Sequence, residues 1–247
     1  MKDLQEKTAL VTGATSGIGK ATALLLGRRG AHVIVSGRDR ERGQAVVDTI
    51  RSEGGSADFV AGDLQDANAA RDLAKRALAV APTIDILVNN AGVFPFGPTA
   101  ETSEQTFDHV YDVNVKVPFM LVAELAPKMA ARGGGAVINV SSMVSQFGMN
   151  GMALYGSSKA ALDLLTKAWA AEFGPQGVRV NAVSPGPTRT EGTAVMGDGI
   201  DQLAALAPAR RPASPEEIAA AIAFLASDEA SFIHGDIVNV DGGRNAT

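Results

Sequence analysis

The chain has 247 residues, of which 46% are hydrophobic and 20% charged, a composition typical of a globular protein with a large core. Its formal net charge of -5 gives no basic surface for nucleic acid or an anionic membrane. Cysteine is absent and the three histidines (His32, His109 and His234) lack metal-ligand spacing, so we expect no disulfide and no metal site, and find little support for a serine–histidine hydrolase.

The N-terminal stretch "MKDLQEKTALVTGA" enters a strand-like run without a preceding signal-peptide core. No apolar run along the chain approaches the ~18 residues of a membrane span. We therefore expect a cytoplasmic protein that has no membrane partner.

Short runs rich in Val and Ile recur along the chain, and each is closed by Gly, Asn, Asp or Ser. Helical spacing of apolar residues lies between them, as at 24–26, 46–50 and 73–78. Nearly continuous apolar strands separated by helices predict a parallel sheet that is covered on both faces. The predicted strands are 8–13, 32–37, 57–63, 84–92, 135–142, 178–186 and 236–243.

Seven strands in this rhythm predict a single α/β domain over residues 1–247. We expect a doubly wound Rossmann fold with a seven-stranded parallel sheet flanked by helices, which binds ligands at the carboxyl ends of its strands. The one long irregular stretch, about 187–213, is expected to be a functional lid over the substrate or a loop that contains a short helix.

The first strand is followed by a glycine-rich turn, "TGATSGIGKA", with glycines at 13, 17 and 19. Without Cβ atoms the backbone can approach a pyrophosphate, and the helix from about Ile18 points free N–H groups at it. A glycine turn alone is often only a tight connection. Its place directly after the first strand of an α/β chain favours a dinucleotide site.

Further along the chain come "NNAG" at 89–92, Ser142, Tyr155 and Lys159. With "TGATSGIG", these motifs stand in the order and at the spacing of the short-chain dehydrogenase/reductase family. The chain resembles this family, in its shorter, single-domain form, along essentially its whole length. The resemblance implies that it binds NAD(H) or NADP(H) and moves hydride between the nicotinamide and a carbonyl or alcohol carbon of a small molecule.

By this resemblance Tyr155 is the catalytic acid/base. A free tyrosine has a pKa near 10, and Lys159 lies one helical turn away on the same face. The positive charge of Lys159, with that of an oxidised nicotinamide, is expected to move the pKa of Tyr155 toward neutrality. In the family this lysine also hydrogen-bonds the nicotinamide ribose.

Two more catalytic residues follow from the resemblance. Ser142, 13 residues before Tyr155, matches the hydroxyl that orients the substrate carbonyl, whereas Ser141 points to the other side of its strand. Asn114, in "DVNVKVPF", matches the asparagine that holds a bent helix and a water chain to the lysine. A purely structural role at a helix start is the alternative for Asn114.

The end of the second strand indicates which nicotinamide cofactor the chain prefers. Members of the family that prefer NAD carry an acidic residue there, whereas this chain has Gly37 followed by Arg38. A glycine leaves room for a 2′-phosphate and an arginine supplies charge, so NADP(H) is favoured. Asp39 could also reach a ribose, so NAD(H) stays open. The other predicted cofactor contacts are Gly13, Thr15, Ser16, Gly17, Ile18, Gly19, Asp63, Leu64, Asn90, Ala91, Gly92, Tyr155, Lys159, Pro185, Gly186 and Thr188.

Apolar side chains after the fourth and fifth strands and in the 187–213 segment predict an adaptable pocket wall, unless they serve the core or subunit contacts. Few charged residues lie near this end, apart from Arg189 and Glu191, which favours a neutral carbonyl or alcohol. The candidate wall residues are Phe94, Phe96, Met143, Phe147, Met149, Met152, Met196, Leu203 and Leu206.

The leading hypothesis is an NADP(H)-dependent carbonyl reductase or alcohol dehydrogenase. The alternatives are a 3-oxoacyl-(acyl-carrier-protein) reductase, a sugar or polyol dehydrogenase, and a non-enzymatic NADP-binding regulator that kept the fold. The resemblance also implies a homotetramer, with contacts through helices at about 103–132 and 154–173 and the last strand at 236–241.

Overall fold

The computed structural model of this protein describes residues 3–247. Its centre is one sheet in the order β3-β2-β1-β4-β5-β6-β7, and every neighbouring pair is parallel. The predicted doubly wound fold with seven parallel strands is therefore confirmed. The strands are β1 Thr8–Val11, β2 His32–Gly37, β3 Ser56–Ala61, β4 Ile86–Asn89, β5 Gly135–Val140, β6 Val178–Pro185 and β7 Ile237–Val240.

In the described part of the chain, eight α-helices connect and cover these strands. They are α1 Gly17–Arg28, α2 Arg40–Ser52, α3 Ala67–Val80, α4 Glu104–Tyr111, α5 Val117–Ala131, α6 Ala153–Phe173, α7 Gly199–Ala204 and α8 Pro215–Ala226. Among residues 3–247, no helix combines the length and the apolar character that crossing a bilayer requires.

The two faces of the sheet carry separate cores, because successive side chains of a strand point to opposite faces. On β1, Ala9 and Val11 pack into the core with α1, α2 and α8, whereas Leu10 packs into the core with α3, α5 and α6. Both β1 faces are fully buried. Burial of each large aliphatic side chain contributes about 1.5–3 kcal/mol, so the near-continuous apolar strands pin the sheet between two helical layers.

The chain reverses its direction of winding between β1 and β4, which lie side by side although they are far apart in sequence. At such a switch point the connections leave on opposite faces, and a crevice opens beyond the carboxyl ends of the strands. The glycine-rich turn and the "NNAG" segment both begin there. The fold thus brings the two most specific sequence motifs together.

Two segments differ in detail from a simple helix or loop. The helical region at about 103–132 consists of α4 and α5 joined by a π-helical turn, Asp112–Lys116, a form that often marks functional sites. The 187–213 segment contains a 3₁₀ turn, Ala194–Met196, followed by α7. Of the two forms expected for that segment, a loop with a short helix is the one that its backbone adopts.

Candidate active site

A cavity of about 570 Å³ opens at the carboxyl ends of the strands. It runs from the ends of β2 and β3, past the glycine-rich turn, to the ends of β5 and β6. Within residues 3–247, no cluster of three or more His, Asp or Glu side chains could hold a metal ion. The predicted residues that line the cavity are Gly13, Thr15, Ser16, Gly17, Ile18, Gly19, Arg38, Asp63, Leu64, Asn90, Ala91, Gly92, Ser142, Tyr155, Lys159, Pro185, Gly186 and Thr188.

The glycine-rich turn has a backbone that side chains would obstruct. Gly13 and Gly17 have φ angles of +62° and +52°, in the left-handed region that favours glycine. A Cβ atom on Gly19 would lie 2.3 Å from the Gly13 carbonyl oxygen. The Asn90 side chain donates to the carbonyl oxygens of Thr12 (2.8 Å) and Gly13 (3.1 Å), and so fastens the turn to the end of β4.

The N-terminus of α1 already holds an anionic group. The Gly17 N–H donates to a carboxylate oxygen of Glu191 at 2.9 Å, where the free N–H groups and the helix dipole favour negative charge. A Cβ on Gly17 would also meet the Thr190 side chain at 3.2 Å. The turn therefore fits a phosphate group by the chemistry of its donors, and an anion that binds there has to displace Glu191.

The end of β2 presents two arginines to the cavity, Arg38 and Arg42. The Asp39 carboxylate caps α2 by accepting from the Arg42 backbone N–H at 3.0 Å, and it also pairs with the Arg42 guanidinium at 3.1 Å. Asp39 is thus engaged in its own helix, whereas Arg38 forms no ion pair within the described chain. A Cβ on Gly37 would lie 2.5 Å from the Thr15 side chain, so a larger residue at that position would require Thr15 to move.

Ser142, Tyr155 and Lys159 meet at the other end of the cavity. The Lys159 ammonium donates to the Val140 carbonyl oxygen at 2.8 Å and lies 5.8 Å from the centroid of the Tyr155 ring. Burial raises the pKa of Tyr155 to about 12, and a hydrogen bond with the Ser142 side chain opposes this rise. Burial lowers the pKa of Lys159 to about 8, and the Asp163 carboxylate opposes this fall.

The pKa of Tyr155 departs from the sequence-based expectation. The charge of Lys159 was expected to help move that pKa toward neutrality, but the protein's own groups raise it, because desolvation outweighs the hydrogen bond with Ser142. Tyr155 keeps a partly exposed surface on the cavity, so water there weakens the effect of burial. The hydroxyl is protonated at neutral pH.

Asn114 lies behind the cavity wall instead of lining it. It is fully buried in the π-helical turn, where its side chain accepts from the Val93 N–H (2.9 Å) and donates to the Val93 carbonyl (2.8 Å). The same amide donates to the Ser158 hydroxyl at 3.0 Å, one residue before Lys159. Asn114 therefore ties the segment after β4 to α6, and its role in a water chain to Lys159 stays a prediction.

Asp163 is a half-buried acidic residue that the sequence analysis missed. It follows Lys159 by one helical turn on α6, so Tyr155, Lys159 and Asp163 share one face. Burial raises the pKa of the Asp163 carboxyl, and the hydroxyls of Ser141 and Ser145 oppose this rise. Its position four residues after Lys159 could have indicated from the sequence that the two side chains lie on the same face of the helix.

Six of the nine apolar residues predicted for the pocket wall line the cavity. Phe94, Met143, Met149, Met152, Met196 and Leu203 line the cavity, and so do His109, Val113 and Ile200, which were not predicted. Phe96, Phe147 and Leu206 do not line it. The Phe147 ring packs against the Arg244 guanidinium at 4.7 Å, while Phe96 and Leu206 are exposed.

Thr188, which was predicted to contact the cofactor through its hydroxyl, uses that hydroxyl in a hydrogen bond within the protein. That hydroxyl donates to the Gly186 carbonyl at 2.9 Å and closes its own turn. Thr190, two residues later, lies against Gly17 and lines the cavity, a position that the sequence analysis did not single out. Because the turn at Gly186 directs Thr188 inward, Thr190 is the threonine that lies against the glycine-rich turn.

Known proteins resemble this chain over its whole length. A family model described as Enoyl-(Acyl carrier protein) reductase matches residues 13–245. A solved structure of a short chain dehydrogenase/reductase family protein shares 47% identity and a TM-score of 0.92, covering 99% of this chain and 100% of that one. Cyclopentanol dehydrogenase of Comamonas sp. is 37% identical over 100% of both chains.

A third relative has a cofactor in its structure. The 3-oxoacyl (acyl-carrier-protein) reductase from Agrobacterium tumefaciens C58, with NADP bound, shares 34% identity and a TM-score of 0.93. The similarity covers 98% of this chain and 95% of that one. The two solved structures share the fold of this chain, and all three relatives match it over nearly its whole length. The two names that state a substrate state different ones.

Proposed function

The chain belongs to the short-chain dehydrogenase/reductase family, and from that premise we propose that it is an NADP(H)-dependent carbonyl reductase or alcohol dehydrogenase. The chain is an oxidoreductase of this family, and the proposal concerns its cofactor and its class of substrate. One observation carries the finer proposal. A single cavity is lined by Arg38 and the glycine-rich turn at one end and by Ser142, Tyr155 and Lys159 at the other.

The proposed chemistry divides between cofactor and protein. A bound nicotinamide supplies or accepts the hydride. The Ser142 hydroxyl donates a hydrogen bond to the substrate carbonyl oxygen, and the Tyr155 hydroxyl gives its proton to the same oxygen during reduction. The Lys159 ammonium stabilises the phenolate that remains. The Tyr155 hydroxyl is protonated at neutral pH, so it can act as the acid when a carbonyl group is reduced.

The direct test of this function is turnover. Purified protein is mixed with NADPH and a set of ketones, and loss of the reduced cofactor is followed by absorbance. We expect turnover with at least one neutral carbonyl compound. Tight binding of NADPH without turnover of any carbonyl compound would instead favour the NADP-binding regulator.

NADP(H) preference is proposed to depend on Arg38. Replacing Arg38 with alanine removes charge-assisted hydrogen bonds to a 2′-phosphate, each about 1.5–3 kcal/mol, so we expect the Kd for NADPH to rise about 10–100-fold. The Kd for NADH should stay within about twofold, since NADH lacks that phosphate. Fluorescence titration with both cofactors measures these constants.

The matched control is Arg40→Ala, which removes a neighbouring arginine that packs over the Phe59 ring and does not line the cavity. It should leave both constants unchanged. Equal affinity of the wild type for NADPH and NADH, or an Arg38→Ala variant with wild-type affinity for NADPH, contradicts the proposal.

A 3-oxoacyl-(acyl-carrier-protein) reductase is the second candidate, supported by the Agrobacterium relative and the family description. That role requires a basic surface for an acidic carrier protein. The sequence offers three scattered basic residues for such a surface, Lys128, Arg132 and Lys167. Of these, Arg132 pairs with the Asp85 carboxylate at 3.2 Å and donates to the Ile84 carbonyl at 2.7 Å. This engagement weakens the second candidate. A sugar or polyol dehydrogenase is the third.

The proposed assembly is a homotetramer with contacts through α4–α5, α6 and the edge near β7. Apolar side chains exposed on these elements support it: Phe107, Phe119 and Leu164 on the helices, and Phe232, which is 99% exposed, before β7. We expect light scattering to give a mass near four times that of the 25.4 kDa chain. A monomeric mass contradicts this assembly. A cytoplasmic location stays a prediction from the sequence.

A further inference from the structure

The substrate end of the cavity is unusually rich in methionine. Of the seven methionines in the chain, Met143, Met149, Met152 and Met196 line this one cavity. Three follow β5 and the fourth comes from the 3₁₀ turn Ala194–Met196. Methionine is unbranched and polarizable, so a wall of this kind adapts its shape and makes favourable contacts between sulfur and aromatic rings.

An aromatic side chain stands beside the catalytic tyrosine in this wall. The rings of Phe94 and Tyr155 meet edge to face, with centroids 6.3 Å apart and an interplanar angle of 64°. Phe94 is 45% exposed and lines the cavity, so part of its ring is available to a ligand. A second aromatic ring attached to the reacting carbonyl would meet Phe94 in the arrangement that aromatic pairs prefer.

Two threonine hydroxyls of the same region are engaged by other protein groups. The hydroxyls of Thr190 and Thr193 bond to each other at 3.2 Å, and that of Thr193 donates to the Thr188 carbonyl at 2.9 Å. A substrate hydroxyl beside these threonines would lose its water hydrogen bonds and would find both threonine hydroxyls already paired.

Charge is concentrated at the opposite end of the cavity. Four of its charged lining residues follow β2 and β3, and Lys159 is directed to the Val140 carbonyl. On the wall built by Phe94 and the methionines, His109 of α4 is the one further titratable lining residue in the described chain. The four charged residues are Arg38, Asp39, Arg42 and Asp63. An anionic substrate therefore finds no arginine or lysine partner near the methionines.

We propose that the substrates of this protein are uncharged ketones in which an aromatic ring is attached to the carbonyl carbon, together with the corresponding secondary alcohols. The ring packs between Phe94 and the methionine wall, defined as Met143, Met149, Met152 and Met196. This inference rests on the proposed function and narrows it. In the reduction, the carbonyl carbon gains a hydride from NADPH, which is oxidised to NADP⁺, and the carbonyl oxygen gains the Tyr155 proton.

The test compares acetophenone with cyclohexyl methyl ketone, which has a saturated ring of the same size, and with fructose and acetoacetyl-coenzyme A. With NADPH in excess, we expect kcat/KM for acetophenone to exceed that for the saturated ketone about 10-fold, from aromatic and sulfur contacts. The hydroxylated and thioester substrates should react at least about 100-fold less efficiently, because their polar groups stay unpaired.

Variants then locate the preference. Phe94→Leu and Met149→Leu should each lower the ratio of kcat/KM for acetophenone to that for the saturated ketone about threefold or more, mainly through KM for acetophenone. Leucine stays apolar in both places and loses the aromatic or the sulfur contact. Phe147→Leu is the matched control, because Phe147 lies on the same segment outside the cavity lining. It should leave the ratio unchanged.

The outcomes separate this inference from the function on which it rests. If NADPH binds and neither these four compounds nor any ketone of the wider set is reduced, the proposed function fails. If other ketones of that set are reduced and acetophenone is not, the function stands and the aromatic-ketone inference is overturned. If fructose or the thioester is preferred, or if the two ring ketones react equally well, the function stands and the aromatic-ketone inference is overturned. An acetophenone preference that survives in both Phe94→Leu and Met149→Leu overturns the part assigned to these residues.

Discussion

Replacing Tyr155 with phenylalanine is expected to lower kcat for carbonyl reduction about 10³-fold or more, within or above the range usual for loss of a general acid. The change removes the proton at the phenolic oxygen and little else. The ring stays in place against Phe94 and near Lys159, because phenylalanine keeps the contacts that hold it. We therefore expect the Kd for NADPH to stay within about threefold. Stopped-flow turnover and fluorescence titration measure the two quantities.

The second tyrosine of the chain provides the control. Tyr111 lies on α4, where its hydroxyl donates to the Ser157 side chain at 3.1 Å on the surface, outside the cavity lining. Tyr111→Phe removes the same atom and should leave kcat within about twofold. Residual activity of Tyr155→Phe within 10-fold of the wild type would show that another group supplies the proton.

Replacing Lys159 with methionine is expected to change activity and stability in opposite directions. Activity should fall about 100-fold or more, because the phenolate of Tyr155 loses its nearest positive charge. The free energy of unfolding at pH 7 should rise by up to about 1.5 kcal/mol. Burial lowers the pKa of Lys159 from 10.5 to about 8, which corresponds to about 3 kcal/mol against the charged form, and the lost hydrogen bond from the ammonium to Val140 offsets about 1.5–3 kcal/mol of that gain.

The pH dependence of stability distinguishes this cause from simple repacking. The pKa of Lys159 is lower in the folded than in the unfolded protein, so between about pH 8 and 10.5 the unfolded state binds more protons. Wild-type stability therefore includes a term that is fully present above pH 10.5 and is lost as the pH falls to 8. The Lys159→Met variant lacks this term, so its stability advantage at pH 7 should shrink at pH 10.

Urea unfolding of both proteins at pH 7 and pH 10 measures the difference. Lys167→Met, on an exposed position of the same helix, is the matched control and should change stability by less than about 0.5 kcal/mol. A Lys159→Met variant that is less stable than the wild type at both pH values would contradict the account of Lys159 as a destabilising buried charge.

Much of the fold follows from local patterns in the sequence. The strand at 32–37 begins and ends where it was predicted, because a Val- and Ile-rich run between a glycine and a glycine has few other stable forms. The turn with Gly13, Gly17 and Gly19 is also local in part, since Gly13 and Gly17 have positive φ angles and a Cβ on Gly19 would meet the Gly13 carbonyl oxygen. The resemblance to the family pointed to "NNAG" and to the pair Tyr155 and Lys159, and residues 90–92 line the same cavity as that pair.

The properties that spacing did not predict depend on contacts between distant segments. The Glu191 carboxylate reaches Gly17 across 174 residues of sequence, and the rise in the pKa of Tyr155 comes from burial, which no short motif encodes. Phe147 was predicted to line the pocket, but its ring packs against Arg244, near the C-terminus, and does not line the cavity. Motif spacing specifies which residues face one another along one helix or turn. Desolvation and long-range packing, which set protonation and the shape of the pocket, exist only once the segments are folded together.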